Sequence, residues 1–315
     1  MKITGDRPSE NTEALHYLNE TEAEGKIVLL YENDNAVLLV TDRTPFHPED
    51  YSWKDQPGDK GIIRAGNVEF VIKDTMAWPI PKSGDILPPD QITISRPDDT
   101  HVMVIAHVVA AVKIDGNPAT FSDINANSLI GQDARFEVDQ AYRRELNVAH
   151  TTAHLMSFAL NKHTALFWKK ETRQDSLGNP NLDANAIAQS KIYPNQSKDT
   201  YRFGKSLRKS GFMADDFVGN IGVVSEEMNK TVNAWIAQAS PVSLEGDSLR
   251  YGTKRTWKTV LDSKEVSIPC GGTHVKNLSE IGPVEISLQY DPEEKSLVIV
   301  SNVLQKSPQA KLQLG

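Results

Sequence analysis

Cysteine is nearly absent from this sequence: one residue, Cys270, in 315. An internal disulfide is therefore excluded. The lone thiol is left as an inert buried side chain, a nucleophile or a metal ligand. Long apolar runs are absent too. No window approaches about 18 uninterrupted apolar residues, so no transmembrane helix and no membrane partner are expected. The opening MKITGDRPSENTEALHYLNETEAEG is polar and acidic and lacks the apolar core of a signal peptide, which makes a cytoplasmic location the expectation. Basic residues are outnumbered, 34 Lys and Arg against 42 Asp and Glu, for a net charge of −8. That balance argues against an extensive nucleic-acid footprint, although a few clustered Lys and Arg suffice to hold phosphates. No internal repeat, low-complexity tract or heptad pattern is visible.

What is present is enough chain for about two domains of about 150 residues each. After a polar lead-in with a short helical possibility at 13–18, the chain turns to short apolar and β-branched runs. These are 27–31, 36–41, 62–64, 68–72 and 101–112. Turn-forming stretches at 32–35, 57–61 and 79–97 separate them, a pattern that suggests a small β-barrel or sandwich. A helix is expected at 139–163, where Leu146, Ala149, Ala153, Met156 and Leu160 recur at three- and four-residue spacing. A second is expected at 223–239 on Val224, Met228, Val232 and Ile236. Residues 169–200 are polar and read as a loop-rich insertion, and short strand-like runs follow at 242–244, 256–261, 284–289 and 297–303. The expected class is α+β, with a first domain at 1–130 and a second at 131–315.

Two short motifs carry the chemistry. His150-Thr151-Thr152-Ala153-His154 lies within the expected helix, where positions i and i+4 share a face and both imidazoles reach one point. Cys270-Gly271-Gly272-Thr273-His274 lies between expected strands, and its paired glycines allow a tight turn that brings Cys270 toward His274. Three neutral imidazoles and a thiolate form a shell that zinc accepts in tetrahedral geometry. Alone, an HxxxH pair is more often a surface or core pair; the second motif, built on the only cysteine, reverses those odds. The metalloprotease pattern is not met, because Thr151 stands where that motif has its general-base Glu.

At these residues the sequence resembles the second domain shared by alanyl- and threonyl-tRNA synthetases and by free-standing alanyl-tRNA editing proteins. The text PCGGTHVKNLSEIG at 269–282 is similar to that family's CxxxH segment. DRTPFHPE at 42–49 and QPGDKG at 56–61 resemble its first-domain DRTPFYPEGGGQPGD region, and YRFGKSLRKSG at 201–211 is a third match. The resemblance spans the chain from about Lys26 onward. It implies an N-terminal barrel of the translation-factor type, then a two-layer α+β editing domain with one zinc ion held by His150, His154, Cys270 and His274. The chain departs from the family at Ala153, at Leu278, and at Lys54-Asp55, which replace a Gly-Gly beside several additional residues at 51–53.

The resemblance implies zinc-dependent hydrolysis of the aminoacyl ester of mischarged tRNA, Ser-tRNA for alanine being the expected substrate and the tRNA acceptor end the partner. Cys270, Gly271, Gly272 and Thr273 are the expected catalytic segment, with backbone N–H groups at 271–273 as candidate oxyanion donors. Thr151 and Thr152 are candidate contacts to a substrate hydroxyl, although threonines inside helices commonly bond back to their own backbone. Lys205, Arg208 and Lys209 are candidate tRNA contacts, with Arg250, Lys254, Arg255 and Lys258 as a second cluster; the solvated-face reading is equally weighted. His47 and Trp53 are further candidates for the terminal adenosine. Two other readings stand beside this one: a metal-dependent hydrolase of a small ester or amide unrelated to tRNA, and a binding module in which zinc only holds the second domain together.

Overall fold

The computed structural model describes residues 2–33, 36–92 and 99–304, so parts of the expected turns at 32–35 and 79–97 lie outside the described residues. The chain falls into two compact units. One comprises Met1–Arg144, Gly246–Arg255 and Cys270–Thr273; the other comprises Glu145–Glu245, Thr256–Pro269 and His274–Gly315.

The first unit is built on antiparallel pairing. Its strands run in the order Lys2–Thr4, Glu22–Glu32, Asp133–Val138, Gly61–Ala65, Val68–Pro81, His101–Ile114 and Val37–Thr41, with Asn117–Ala119 beside His101–Ile114. Val37–Thr41 also pairs with Glu22–Glu32, so the succession of pairings returns to a strand already in it. Leu39 packs into one apolar cluster with Phe46, Phe70 and Phe136, while its neighbours Leu38 and Val40 pack into another with Trp78 and Val104. Successive side chains point to opposite faces of a strand. Covering both faces makes such a strand read as an unbroken apolar run, which is how 36–41 stands in the sequence.

Two expectations change here. The Pro-rich stretch assigned to turns is entered by the strand Val68–Pro81. Beyond the register break at 72–74 it leaves Gly61–Ala65, and at Pro79 and Pro81 it pairs with His101–Ile114. A proline lacks only the donor, and a strand side without a ladder partner does not need it. The helical possibility at 13–18 is a short 3-10 turn, Leu15–Leu18.

The second unit combines helices with two antiparallel sheets, as expected of an α+β chain. The helix Gln140–Thr164, which begins in the first unit, buries Leu146, Ala149, Ala153, Met156 and Leu160. The helix Ile221–Ala237 buries Val224, Met228, Val232 and Ile236. A four-stranded sheet runs in the order Ile187–Tyr193, Gln196–Arg202, Ser296–Val303, Val284–Asp291, and a three-stranded one joins Ser243–Glu245, Thr256–Leu261 and Lys264–Pro269. Among the described residues no helix is long and apolar enough to cross a membrane.

The edge strand Val284–Asp291 is capped by side chains over its first half, at Val284 and Ile286. Asn229 accepts the N–H of Ile286 at 2.7 Å and donates to its carbonyl at 2.7 Å. Asn233 does the same to Val284, at 2.9 and 2.8 Å. The stretch at 169–200, read as loop-rich, instead contains the helix Leu182–Ala186 and the hairpin Ile187–Tyr193/Gln196–Arg202. Its inward positions Ser197, Asp199 and Tyr201 are buried, so the strand alternates in burial but only weakly in hydrophobicity.

Candidate metal centre

The helix Gln140–Thr164 carries His150 and His154 one turn apart, with ring centroids 4.9 Å from each other. The ring of His274 lies 4.4 Å from that of His150 and 4.9 Å from that of His154. With Cys270 these residues form a group whose four potential ligand atoms all lie within 4.8 Å of one another. His150 and His274 are buried, and His154 and Cys270 are half-buried. The two motifs separated by over a hundred residues thus converge on one point, and the cluster could hold one metal ion.

The state of the donors fits a cation. His154 Nε2 is buried without a hydrogen-bond partner. Burial, and then the neighbouring His150, hold the His154 imidazole well below its ordinary range, so it is neutral near pH 7 and keeps a lone pair. Thr151 fixes the tautomer of His274. Its hydroxyl lies 2.8 Å from the Asn147 carbonyl, 3.2 Å from His274 Nδ1 and 3.2 Å from the N–H of Val275. One hydroxyl has one proton and two lone pairs; donation to Asn147 leaves it accepting from Nδ1–H and from Val275. Nε2 of His274 is then the unprotonated nitrogen, the tautomer a metal ligand needs. Burial pushes the Cys270 thiol up to about 12, the Asp55 carboxylate adds to the rise, and the N–H of Gly272, 3.4 Å from Sγ, opposes it. A coordinated cation reverses such a rise, because a coordinating thiol is deprotonated outright. Trp257, fully buried, packs 5.0 Å from the His154 ring.

The loop bearing Cys270 is held by a residue the sequence reading passed over. Gln56 Nε2 donates to Thr273 Oγ1 at 2.8 Å, and the Thr273 N–H donates to Gln56 Oε1 at 3.0 Å. Both residues are 1% exposed. QPGD marks a turn and carries no cue to a partner 217 positions away. Gly58 in that stretch has a packing reason, since a Cβ there would meet the Thr75 carbonyl oxygen at 1.8 Å. Asp59 is fully buried and receives Arg143 Nε at 2.8 Å, Arg143 Nη2 and the His47 N–H. Arg143 stands in the first turn of the histidine helix and also donates to the Pro45 carbonyl at 2.8 Å.

Thr152 is fully buried and its hydroxyl donates to the Val148 carbonyl at 2.7 Å. Of the N–H groups at 271–273, that of Gly272 points to Sγ and that of Thr273 to Gln56, while Gly271 is exposed. Lys205 and Lys209 are exposed on the short helix Lys205–Lys209, and Arg208 pairs with Asp215 at 3.0 Å. Arg250 pairs with Glu10, and Lys258 with Glu245 at 2.8 Å and Glu265 at 3.6 Å. Arg255 is buried over the Tyr17 ring at 4.1 Å, whereas Lys254 is exposed. His47 is buried edge-on to His16, and Trp53 is 44% exposed.

No family model matches the chain. Curated relatives that do match are alanine–tRNA ligases. That of Rickettsia canadensis (strain McKiel) is 26% identical over 291 residues, 88% of this chain and 26% of the ligase. Those of Rickettsia massiliae (strain Mtu5) and Rickettsia bellii (strain RML369-C) are 27% identical over 290 residues and 25% over 291, with the same coverage. The chain spans 26% of the length of the curated relatives it matches, and the similarity covers 88% of its own length.

Proposed function

We propose that this chain is a metal-dependent hydrolase of the ester linking an amino acid to the terminal ribose of tRNA, acting on mischarged Ser-tRNA. The observation that carries the reading is the convergence of His150, His154, Cys270 and His274. Three imidazoles and one thiolate match zinc better than magnesium or calcium, which prefer oxygen donors. The relatives named as alanine–tRNA ligases supply the substrate class, because such enzymes handle aminoacyl-tRNA. In this reading the six-strand circuit of the first unit is a barrel of the translation-factor type and the second unit is the editing domain.

Held by His150, His154, Cys270 and His274, a zinc ion would supply Lewis acidity for the ester carbonyl and for water. The protein's own part is to hold the donors and shape the loop. His150, His154 and His274 present three ring nitrogens to one point, and the Thr151 hydroxyl, 3.2 Å from His274 Nδ1, orients one of the rings. Gln56 sets the backbone of Thr273, and with it the approach of Cys270 to the cluster. Gly271 leaves its side of the loop open, where a Cβ would meet nothing within 4 Å, which suits the approach of an acyl group. Lys205 and Lys209 provide exposed charge for phosphates.

One observation favours a second reading. Arg208, Arg250 and Lys258 are each paired with carboxylates, which weakens the basic footprint and favours a smaller ester. Hydrolysis of purified Ser-tRNA and Ala-tRNA, by the zinc-loaded protein and by Cys270→Ala, separates the two. Rapid loss of serine with alanine spared, and loss of activity together with zinc in the variant, supports tRNA editing. If the zinc-loaded protein cleaves neither ester, the tRNA reading fails and small esters become the substrates to test.

A further inference from the structure

The deacylase reading leaves the amino group of the substrate without a partner. An aminoacyl ester carries an α-ammonium two bonds from the reacting carbonyl carbon. Three neutral imidazoles and one thiolate leave a divalent cation with a positive charge unbalanced, so an ammonium beside the cluster is repelled unless an anion is close. One carboxylate is placed to serve. Asp55 precedes Gln56, whose side-chain amide is doubly bonded to Thr273 in the Cys270 loop. Asp55 is half-buried, its Oδ1 accepts the Gln56 N–H at 2.7 Å, and its charge is felt at the Cys270 sulfur.

The loop that presents Asp55 is built rather than loose. Asp50 Oδ1 accepts the N–H of Ser52 at 2.7 Å, its hydroxyl at 2.7 Å and the N–H of Trp53 at 2.9 Å. The N–H of Asp55 closes back on the Trp53 carbonyl at 3.0 Å. Lys54 reaches toward Glu49 at 3.7 Å. On the side of Glu49, two backbone hydrogen bonds tie the loop to Thr75 and Ala77. On the other side Gln56 ties it to Thr273. A half-buried carboxylate is therefore held one residue before Gln56, the side chain that anchors the Cys270 loop.

We propose that Asp55 receives the α-ammonium group of the aminoacyl ester and selects esters that carry it. The inference rests on the deacylase reading. Its test compares seryl-tRNA with the α-hydroxy isostere made by deaminating the same ester, using zinc-loaded wild type, Asp55→Asn and Asp55→Glu. The wild type is expected to prefer the ammonium-bearing ester by roughly tenfold in kcat/KM, the scale of one partly desolvated ion pair. Asp55→Asn should lose that preference, slowing on seryl-tRNA while its rate on the isostere is unchanged, and Asp55→Glu should recover part of it. Lysyl-tRNA tests the other source of ammonium, and a defect of Asp55→Asn confined to it overturns the α-ammonium assignment. Equal slowing of both esters reveals a purely structural loop residue, and an unchanged preference shows that Asp55 touches no ammonium; either overturns the proposal. If wild type cleaves no ester at all, the deacylase reading falls, and this inference falls with it.

Discussion

Replacing Asp59 by Ala removes the centre of a buried network and gives a sharp test of how the first unit is held. Asp59 is fully buried and Arg143 is 3% exposed. The carboxylate takes Nε and Nη2 of the guanidinium and the His47 N–H. The pair's own net contribution is small, because desolvation offsets most of the attraction, but removing one partner strands the other's charge; such losses run at about 3–5 kcal/mol. The His47 N–H loses its acceptor as well, so the upper part of that range, about 4–5 kcal/mol, is expected for Asp59→Ala. Against a typical total of about 5–15 kcal/mol, that is a large fraction of the stability of one domain. Urea unfolding followed by tryptophan fluorescence and by far-ultraviolet circular dichroism measures it, two probes being needed because two units need not melt together. Arg143→Met should cost less than Asp59→Ala, and the double variant less than the sum of the singles. A loss below about 1 kcal/mol for Asp59→Ala would refute the reasoning, since a stranded buried guanidinium cannot be that cheap.

Three further predictions follow from the same structure. His107 is fully buried between the Thr44 hydroxyl at 2.9 Å and the Leu39 carbonyl at 2.8 Å, and burial lowers it from 6.5 to about 4. The unfolded chain therefore binds the proton first: the His107 contribution is whole above pH 6.5, drains as pH falls toward 4, and amounts to about 3 kcal/mol. A stability–pH profile of wild type against His107→Gln should diverge by that much over this window; parallel profiles would exclude it. Gln56→Ala strands the Thr273 N–H and hydroxyl and should cost about 2–3 kcal/mol while lowering zinc affinity about 10- to 100-fold, read by competition with a chromophoric chelator. Unchanged affinity would show that Gln56 does not set the Cys270 loop. Lys205→Ala with Lys209→Ala should flatten the salt dependence of tRNA binding, with a change in slope of about 1.5, and an unaltered slope would remove these lysines from the interface.

The sequence made the four donors legible because each motif has its own periodic cue. Helical spacing pairs His150 with His154, and the single cysteine marks the other half. The partners that tune them were hidden, because Gln56 and Thr273 are 217 positions apart and nothing in a turn-rich QPGD announces a distant amide contact. The partners of the basic residues were hidden for a related reason. Glu10, Asp215, Glu245 and Glu265 neutralise Arg250, Arg208 and Lys258 through pairings that spacing does not reveal. Strand signals succeeded wherever inward positions were apolar, as in Val37–Thr41, and failed in Gln196–Arg202, where serine, aspartate and tyrosine face inward. Pro79 and Pro81 marked the wrong feature because proline excludes a donor, not a strand.

The asparagine ladder on Val284–Asp291 has a consequence for crowded solutions. Asn229 and Asn233 give that strand the amide partners a neighbouring strand would give, but from a helix, which cannot extend the sheet further. The backbone groups of Ile286 and Val284 are thus occupied, and a second molecule cannot use them to seed cross-molecular pairing. Helix and strand are joined in one chain, so this shield has no dissociation constant to be diluted away. It persists at any concentration for as long as the helix Ile221–Ala237 stays folded, and the hazard of polymerisation there is set by local unfolding of that helix rather than by collision.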